Sequence, residues 1–451
     1  MKTASKKVIT GWAMYDWANS AYNLVITSTI FPAYYDAITT TKDTVGNVIS
    51  HKIMFLGSEY ESASLYNYAI AFAYLLIAVL SPILSSIADF KGNKKSFMQF
   101  FCYLGSLACC LMYWFTKDTL PLGIACAVIA AIGYCGSLVF YNAYLPEIAA
   151  EEDQDDVSAK GFAYGYIGSV LLQIICFFFV LKPEWFGITD GTLPARLSFL
   201  LVGLWWAAFA QITFVTLPPS PKGKQELQHP FRGRGREENN ILTNGFIELK
   251  KVWKQANNLP VLKKYLIAFF FYSMGVQTVM LAATLFGSQV LQMATSKLII
   301  CILLIQIVAI AGAYLMARLS DRFGNFNVLA FVVLLWTGLC VAAYFVNSEM
   351  QFYILASIVG LIMGGIQSLS RSTYAKIMPV GTHDTASFFS FYDVTEKVAI
   401  VIGMVSFGLV QQVTGNMRNS ILALVLFFVI GFIVLLLTIK EQQKNSLLKV
   451  Y

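Results

Sequence analysis

Three apolar stretches of the chain each carry a compact set of ionisable and amide side chains. The first runs Trp12-Ala13-Met14-Tyr15-Asp16-Trp17-Ala18-Asn19-Ser20-Ala21-Tyr22-Asn23. Asp16, Asn19 and Asn23 stand at i, i+3 and i+7, so a helix places them on one face, with Trp12, Tyr15 and Tyr22 near its borders. A carboxyl group in such surroundings can alternate between a proton and an interhelical partner. Desolvation raises its proton affinity, and a nearby cation opposes that effect. The amides could orient a polar solute, but a helix cap or a packing ion pair explains the same pattern.

The second set is Tyr392, Asp393, Glu396 and Lys397. Asp393 and Lys397 are one helical turn apart and can pair, as a gate that breaks or as a fixed scaffold. In the third, Gln367, Arg371 and Tyr374 share a helical face behind Gly360, Gly364 and Gly365, which admit a close neighbour. Arg371 could hold a carboxylate or phosphate, pair with an internal carboxylate, or snorkel to headgroups. Tyr141, Asn142, Gln173 and Gln277 are further inward candidates. On this reading Asp16, Asp393 and Glu396 are the candidate proton carriers. The candidate substrate contacts are Trp12, Tyr15, Asn19, Asn23, Tyr141, Asn142, Gln173, Gln277, Gln367, Arg371 and Tyr374.

The elements that must position these groups are membrane helices. Of the 451 residues 57% are hydrophobic and 13% charged, and the mean hydropathy is +0.64. That balance requires an extensive lipid-facing surface. A helix needs about 20 residues to cross the hydrocarbon core, which places spans at about 11–35, 65–87, 97–116, 120–144, 162–181, 198–217, 265–286, 297–317, 328–346, 352–375, 386–411 and 419–439. The expected fold is therefore an all-α polytopic membrane protein of twelve helices. It divides into a six-helix half at 1–217, a cytoplasmic linker at 218–262, and a second six-helix half with a short tail at 263–451. A 6+6 division is the outline of a transporter with two pseudo-symmetric halves.

Loop charges set the orientation. With both termini in the cytoplasm, Lys2, Lys6, Lys7, Lys91, Lys94, Lys95, Lys160, Arg318, Arg322, Arg371, Lys376, Lys440 and the basic linker fall on the cytoplasmic side or at its edge. The opposite side receives a minority, including Lys42, Lys52, Lys117 and Lys182. The same distribution accounts for the net charge of +7 without nucleic acid. In the linker, Arg232, Arg234 and Arg236 read as a solvated segment, and Phe246–Trp253 with Lys250, Lys251 and Lys254 as an interfacial helix facing anionic lipid. The acidic run Glu147 to Asp156 lacks the glycine turn of a calcium loop and reads as solvated. The segment Thr40–Ala63 is the longest outer loop, a candidate lid.

Other classes find no support. The eight cysteines sit in apolar segments without metal-ligand spacing and read as packing residues. No cleavable signal peptide is visible. No nucleophile is paired with a base, and the linker lacks a GK[ST] phosphate loop, so neither enzyme chemistry nor a cofactor is expected.

Two loops repeat one pattern six spans apart: Ser85-Ser86-Ile87-Ala88-Asp89-Phe90-Lys91-Gly92-Asn93-Lys94-Lys95 and Ala317-Arg318-Leu319-Ser320-Asp321-Arg322-Phe323-Gly324-Asn325. They are similar to the G-x-x-x-D-R-x-G-R-K-type motif, and the chain resembles the major facilitator superfamily. The segments YDWANSAY at 15–22, YNAYLPEIA at 141–149, GFAYGYIG at 161–168, GGIQSLSRS at 364–372 and FFSFYDVTEKVA at 388–399 are more narrowly similar to UMF1/Atg22-like permeases. The resemblance implies gating by Asp89, Lys94, Asp321 and Arg322, with Lys397 as a further gating candidate. Ser85 and Ala317 replace the usual first glycine, and Phe90 the first arginine.

The resemblance further implies a transporter working by alternating access, with members that export amino acids from a degradative compartment. The expected activity is proton-coupled transport of a small polar metabolite, an amino acid or peptide, with sodium as the alternative coupling ion. Export of drug or lipid-like solutes and a non-transporting membrane regulator are the competing expectations. The protein should act as a monomer surrounded by lipid in a bacterial inner membrane.

Overall fold

A computed structural model describes residues 2–42, 48–219, 241–379 and 381–448. The chain opens with α1 (Lys6–Ala21), which passes without a break into a π-helical segment, Tyr22–Ile30, and then α2 (Phe31–Thr39). There follow α3 (Ser62–Lys91), α4 (Lys94–Leu111), α5 (Leu120–Ala143), the single turn α6 (Leu145–Ile148), α7 (Gln154–Leu181) and α8 (Leu193–Thr216). Beyond the linker come α9 (Ile241–Asn257), α10 (Pro260–Gln289), α11 (Thr295–Phe323), α12 (Asn325–Tyr344), α13 (Glu349–Ile377), α14 (Thr385–Thr414) and α15 (Met417–Leu448).

Among the described residues ten helices are long and apolar enough to cross a bilayer, so the protein is an all-α polytopic membrane protein. The two other predicted spans, 11–35 and 386–411, coincide with the α1–π–α2 segment and with α14. They are the spans that bear Asp16 and the Asp393–Glu396–Lys397 set. In the π segment the Ser28 hydroxyl donates to Asn23 O at 2.8 Å and that of Thr29 to Leu24 O at 2.8 Å. These bonds reach five residues back, as a widened helix demands, and such segments recur at functional sites.

The longest outer loop, at Thr40–Ala63, carries short strands that hydropathy did not register. Residues 41–61 contain two antiparallel pairs, Thr41–Lys42 with Val48–Ser50 and Lys52–Phe55 with Ser58–Glu61. Alternation in Lys-Ile-Met-Phe supports the second pair. The acidic run is also not simply a solvated loop. α7 begins at Gln154, so Asp155 and Asp156 occupy its first turn, where carboxylates favour the exposed amides. Asp155 is buried. The Arg232–Arg236 run lies outside the described residues.

Within each half, helices pack closely where side chains are small. A Cβ on Gly360 of α13 would stand 2.6 Å from the Ile305 carbonyl oxygen of α11, so only glycine permits that approach. Between the halves, α7 lies against α11 and α13, and α14 against α3 and α5. The linker helix α9 bridges the seam. It packs on α3, its Trp253 ring lies 5.4 Å from Phe391 of α14, and Lys251 pairs with Asp384 at 3.6 Å.

Candidate functional site

A cavity of about 180 Å³ lies between the halves. Its wall includes Asp16, Ser20 and Asn23 from the first span, Tyr134 and Asn142 from α5, and Gln277 from α10. It also includes Gln367 and Arg371 from α13 and Glu396 and Lys397 from α14. Nine of the residues singled out in the sequence thus meet at one surface: Asp16, Asn23, Asn142, Gln277, Gln367, Arg371, Tyr392, Glu396 and Lys397.

Arg371 closes one side. It belongs to the second half, yet every hydrogen bond its guanidinium makes goes to the first. Nη1 donates to Asp16 Oδ2 at 3.2 Å and to Asn142 Oδ1 at 3.3 Å. Nε donates to the Ser158 hydroxyl at 3.0 Å and Nη2 to Ser158 O at 2.8 Å. The rings of Phe162, Trp12 and Tyr141 stand 4.3, 4.8 and 5.4 Å from its carbon, a cation–π cage. Tyr141 donates its hydroxyl to Asp16 Oδ2 at 2.7 Å. Trp12 stacks on Tyr141 and donates its indole N–H to Tyr141 O at 3.0 Å.

Burial of the pair is tolerated because both partners make more than one hydrogen bond. Gly161 makes room for it: a Cβ there would lie 2.8 Å from Arg371 Nη2 and from Asp16 Oδ2. Arg371 therefore does not snorkel. It welds the halves, and releasing it requires several bonds to break together.

Across the cavity, Lys397 Nζ lies 3.3 Å from Asp393 Oδ1 and 3.1 Å from Glu396 Oε2. Gln277 donates to Glu396 Oε1 at 2.9 Å. Gln367 accepts from the Tyr166 hydroxyl at 2.7 Å, a further bond between the halves.

Other candidates lie away from the cavity. Tyr15 is fully buried inside the first half, beside Tyr141 and Phe214. Asn19 is buried, and Ser20 takes the cavity position one residue on, because the residue four past Asp16 lies closer to its bearing than the residue three past. Gln173 accepts from Thr29 at 2.8 Å within the first half. Tyr374 donates to Phe388 O at 2.6 Å among Tyr265, Phe389 and Tyr392.

Two latches join the halves at the end where the repeated loops turn. In the first, Asp89 accepts the amides of Ala386 at 3.2 Å and Ser387 at 2.7 Å, and the Ser387 hydroxyl at 2.7 Å. It thus caps the N-terminus of α14 from another helix. Lys94, buried, sits 3.5 Å from Asp89, bonds Glu147, and reaches the Thr385 hydroxyl at 2.6 Å. Gly92, at φ 64°, makes the turn between Asp89 and Lys94.

In the second latch the motif acid is not used. Asp321 and Arg322 are exposed and form no ion pair among the described residues. Asp155 takes the acid's place from α7: its carboxylate accepts from the Ser320 hydroxyl at 2.7 Å, Asn325 Nδ2 at 2.7 Å and Lys376 Nζ at 2.7 Å. In this structure the contact is made by Asp155, Ser320, Asn325 and Lys376, and Asp321 and Arg322 lie outside it. The repeat in sequence pointed to the turn. It carried no signal for Asp155, Glu147, Ser158, Tyr74 or Tyr134, whose neighbours are distant in the chain.

An arrangement of this kind, a polar cavity between two latched groups of membrane helices, defines a transporter of the major facilitator superfamily. The chain belongs to the family described as vacuole effluxer Atg22 like, whose model matches residues 4–447. An uncharacterized MFS-type transporter, YxiO, of Bacillus subtilis (strain 168) is 32% identical over 97% of both chains. Autophagy-related protein 22 of Yarrowia lipolytica is 25% identical over 86% of this chain and 79% of its own. Among solved structures, the E. coli fucose:proton symporter FucP superposes with a TM-score of 0.67 at 16% identity, covering 96% of this chain and 97% of its own, a likeness of fold. The protein is thus an integral membrane protein for secondary active transport, and not an enzyme.

Proposed function

We propose that the protein is a proton-coupled transporter of a small polar metabolite, an amino acid or short peptide, working as a monomer by alternating access. The observation that carries the reading is the cavity wall, which both halves build and on which Arg371 and Lys397 stand with Asp16 and Glu396. A zwitterion matches a surface bearing both signs, whereas a lipid-like solute would favour an apolar one. The family description as a vacuole effluxer supports movement of a solute across a membrane.

On this proposal twelve spans form two pseudo-symmetric six-helix halves, and both termini lie in the cytoplasm of a bacterium. The Asp89 and Asp155 latches then close the cytoplasmic end, and the cavity belongs to an outward-facing state. Rocking to the opposite state breaks both latches and the Asp16–Arg371 weld, with the coupling ion and substrate supplying the differential stabilisation.

The test is counterflow of a metabolite panel in proteoliposomes with imposed proton and sodium gradients. Accumulation of an amino acid or peptide driven by the proton gradient is expected. Accumulation driven by sodium alone, or binding without flux, overturns the reading, the latter in favour of a membrane regulator.

A further inference from the structure

The two charged clusters on the cavity walls differ in charge balance. Asp16 and Arg371 are matched one to one, and Asp16 Oδ2 receives a tyrosine hydroxyl as well. On α14 two carboxylates, Asp393 and Glu396, share a single ammonium, that of Lys397. Glu396 has both oxygens partnered, one by Gln277 and one by Lys397. Asp393 has one oxygen against Lys397, while its Oδ2 is buried and has no hydrogen-bond partner. The side chains of Asp393 and Lys397 are only 7% and 6% exposed.

Among the described residues the surroundings offer no second cation at this site. α3 presents Tyr74, whose ring centroid lies 6.0 Å from Lys397 Nζ. α5 presents Tyr134 and Cys135, and α10 presents Tyr272 and Gln277. On α13 the nearest cation is Arg371, already engaged by Asp16. α9 meets α14 with Lys251, which pairs with Asp384. α15 carries basic groups at its two ends, Arg418 and Lys440, and no other charged residue between them. A buried carboxylate left with an unpaired oxygen and only a shared counter-charge is costly, and proton uptake removes that cost.

We propose that Asp393 is the proton carrier, holding one exchangeable proton on Oδ2, while Glu396 and Lys397 form the ion pair beside it. The Asp16–Arg371 pair is then an inter-half weld without a proton of its own. This deepens the proton-coupled reading of the same cavity and rests on it for its role in transport. On release, the O–H bond of the Asp393 carboxylic acid breaks, the proton passes to water in the cavity, and the Asp393 and Glu396 carboxylates that remain share the single Lys397 ammonium.

Infrared difference spectroscopy of the full-length protein in lipid, between acidic and alkaline buffer, reads the carboxylic-acid carbonyl band directly. The wild type should lose one buried acid band on alkalinisation. Asp393→Asn and Glu396→Gln should each abolish it, because either leaves one carboxylate for one ammonium. Lys397→Met should double it, and Asp16→Asn should leave it in place. The doubling in Lys397→Met is a gain that misfolding does not mimic, and the thermal midpoint of each variant identifies those that fold.

A band that survives both α14 carboxamide variants, or disappears only in Asp16→Asn, overturns the assignment. So does displacement of the band at fixed pH by sodium but not by potassium, which would make the site a sodium site. The spectrum needs no substrate. A present band with no proton-driven flux therefore sinks the transport reading alone, and proton-driven flux without the band sinks the carrier alone.

Discussion

The two latches begin from loops that share an Asp-x-x-Gly-Asn pattern and end with different chemistry. At Asp89 the motif acid itself reaches across and caps α14, with Lys94 and Glu147 packed around it. At the second loop the corresponding Asp321 faces outward, and the acid arrives from the opposite partner, Asp155 in the first turn of α7. The motif loop there contributes only neutral groups, Ser320 and Asn325, while the base is Lys376 of α13. The repeat preserves a turn and a need, namely that one acid must meet a lysine and neutral hydrogen-bond donors where the halves touch. It does not preserve which side supplies that acid.

Substitutions can break that comparison in a graded order. The largest effect is expected at Arg371: replacement by Met leaves Asp16 buried without its cation and should cost about 3–5 kcal/mol in stability, read as a lowered denaturation midpoint in detergent. Replacement by Lys keeps the charge but loses the fork that meets Asp16, Asn142 and Ser158 together, and should recover only part of the loss.

Asp89→Asn comes next. It removes one of the two countercharges of Lys94 and weakens the cap on α14, for about 2–3 kcal/mol. Asp155→Asn should cost about 1–3 kcal/mol, since Lys376 is partly exposed and can turn to water. Both should shift cysteine-reporter accessibility at the latch end towards the open state. Asp321→Asn should change stability by no more than about 0.5 kcal/mol, the size expected of an exposed position. A loss at Asp321 as large as that at Asp89 would mean that the two loops act alike and would overturn the contrast.

The linker sharpens the same contrast, because α9 lies beside the first latch. Trp253→Ala removes the contact with Phe391 and should cost about 0.5–1.5 kcal/mol. Combined with Asp89→Asn it should show coupling in a double-mutant cycle, and combined with Asp155→Asn it should be additive.

Much of the fold was legible beforehand, since a span needs a long apolar run and nothing in lipid hides its absence. Each predicted span coincides with a helical segment, although the helices run past the apolar runs at several ends. α7, for instance, starts at Gln154 rather than near 162, because acidic residues are good company for a helix N-terminus and hydropathy does not register them. The site was legible in part. Ionisable groups inside spans had to face inward, which brought Asp16, Arg371, Glu396 and Lys397 to notice. Periodicity could not separate Asn19 from Ser20, a single residue apart on a helix that changes to π winding at Tyr22.

The sequence by itself determined that the chain crosses a membrane many times, that its charges are confined to a few spans, and that two loops turn at glycine after an acid. Those properties are local, set by the cost of polar groups in hydrocarbon and by backbone conformation. Partnership was decided only by the tertiary structure: Arg371 with Asp16, Asp155 with Lys376, and Asp393 left with one oxygen unmatched. A partner hundreds of residues away is chosen by how helices pack, and helical periodicity fixes the bearing of a side chain on its own helix without fixing which helix it meets.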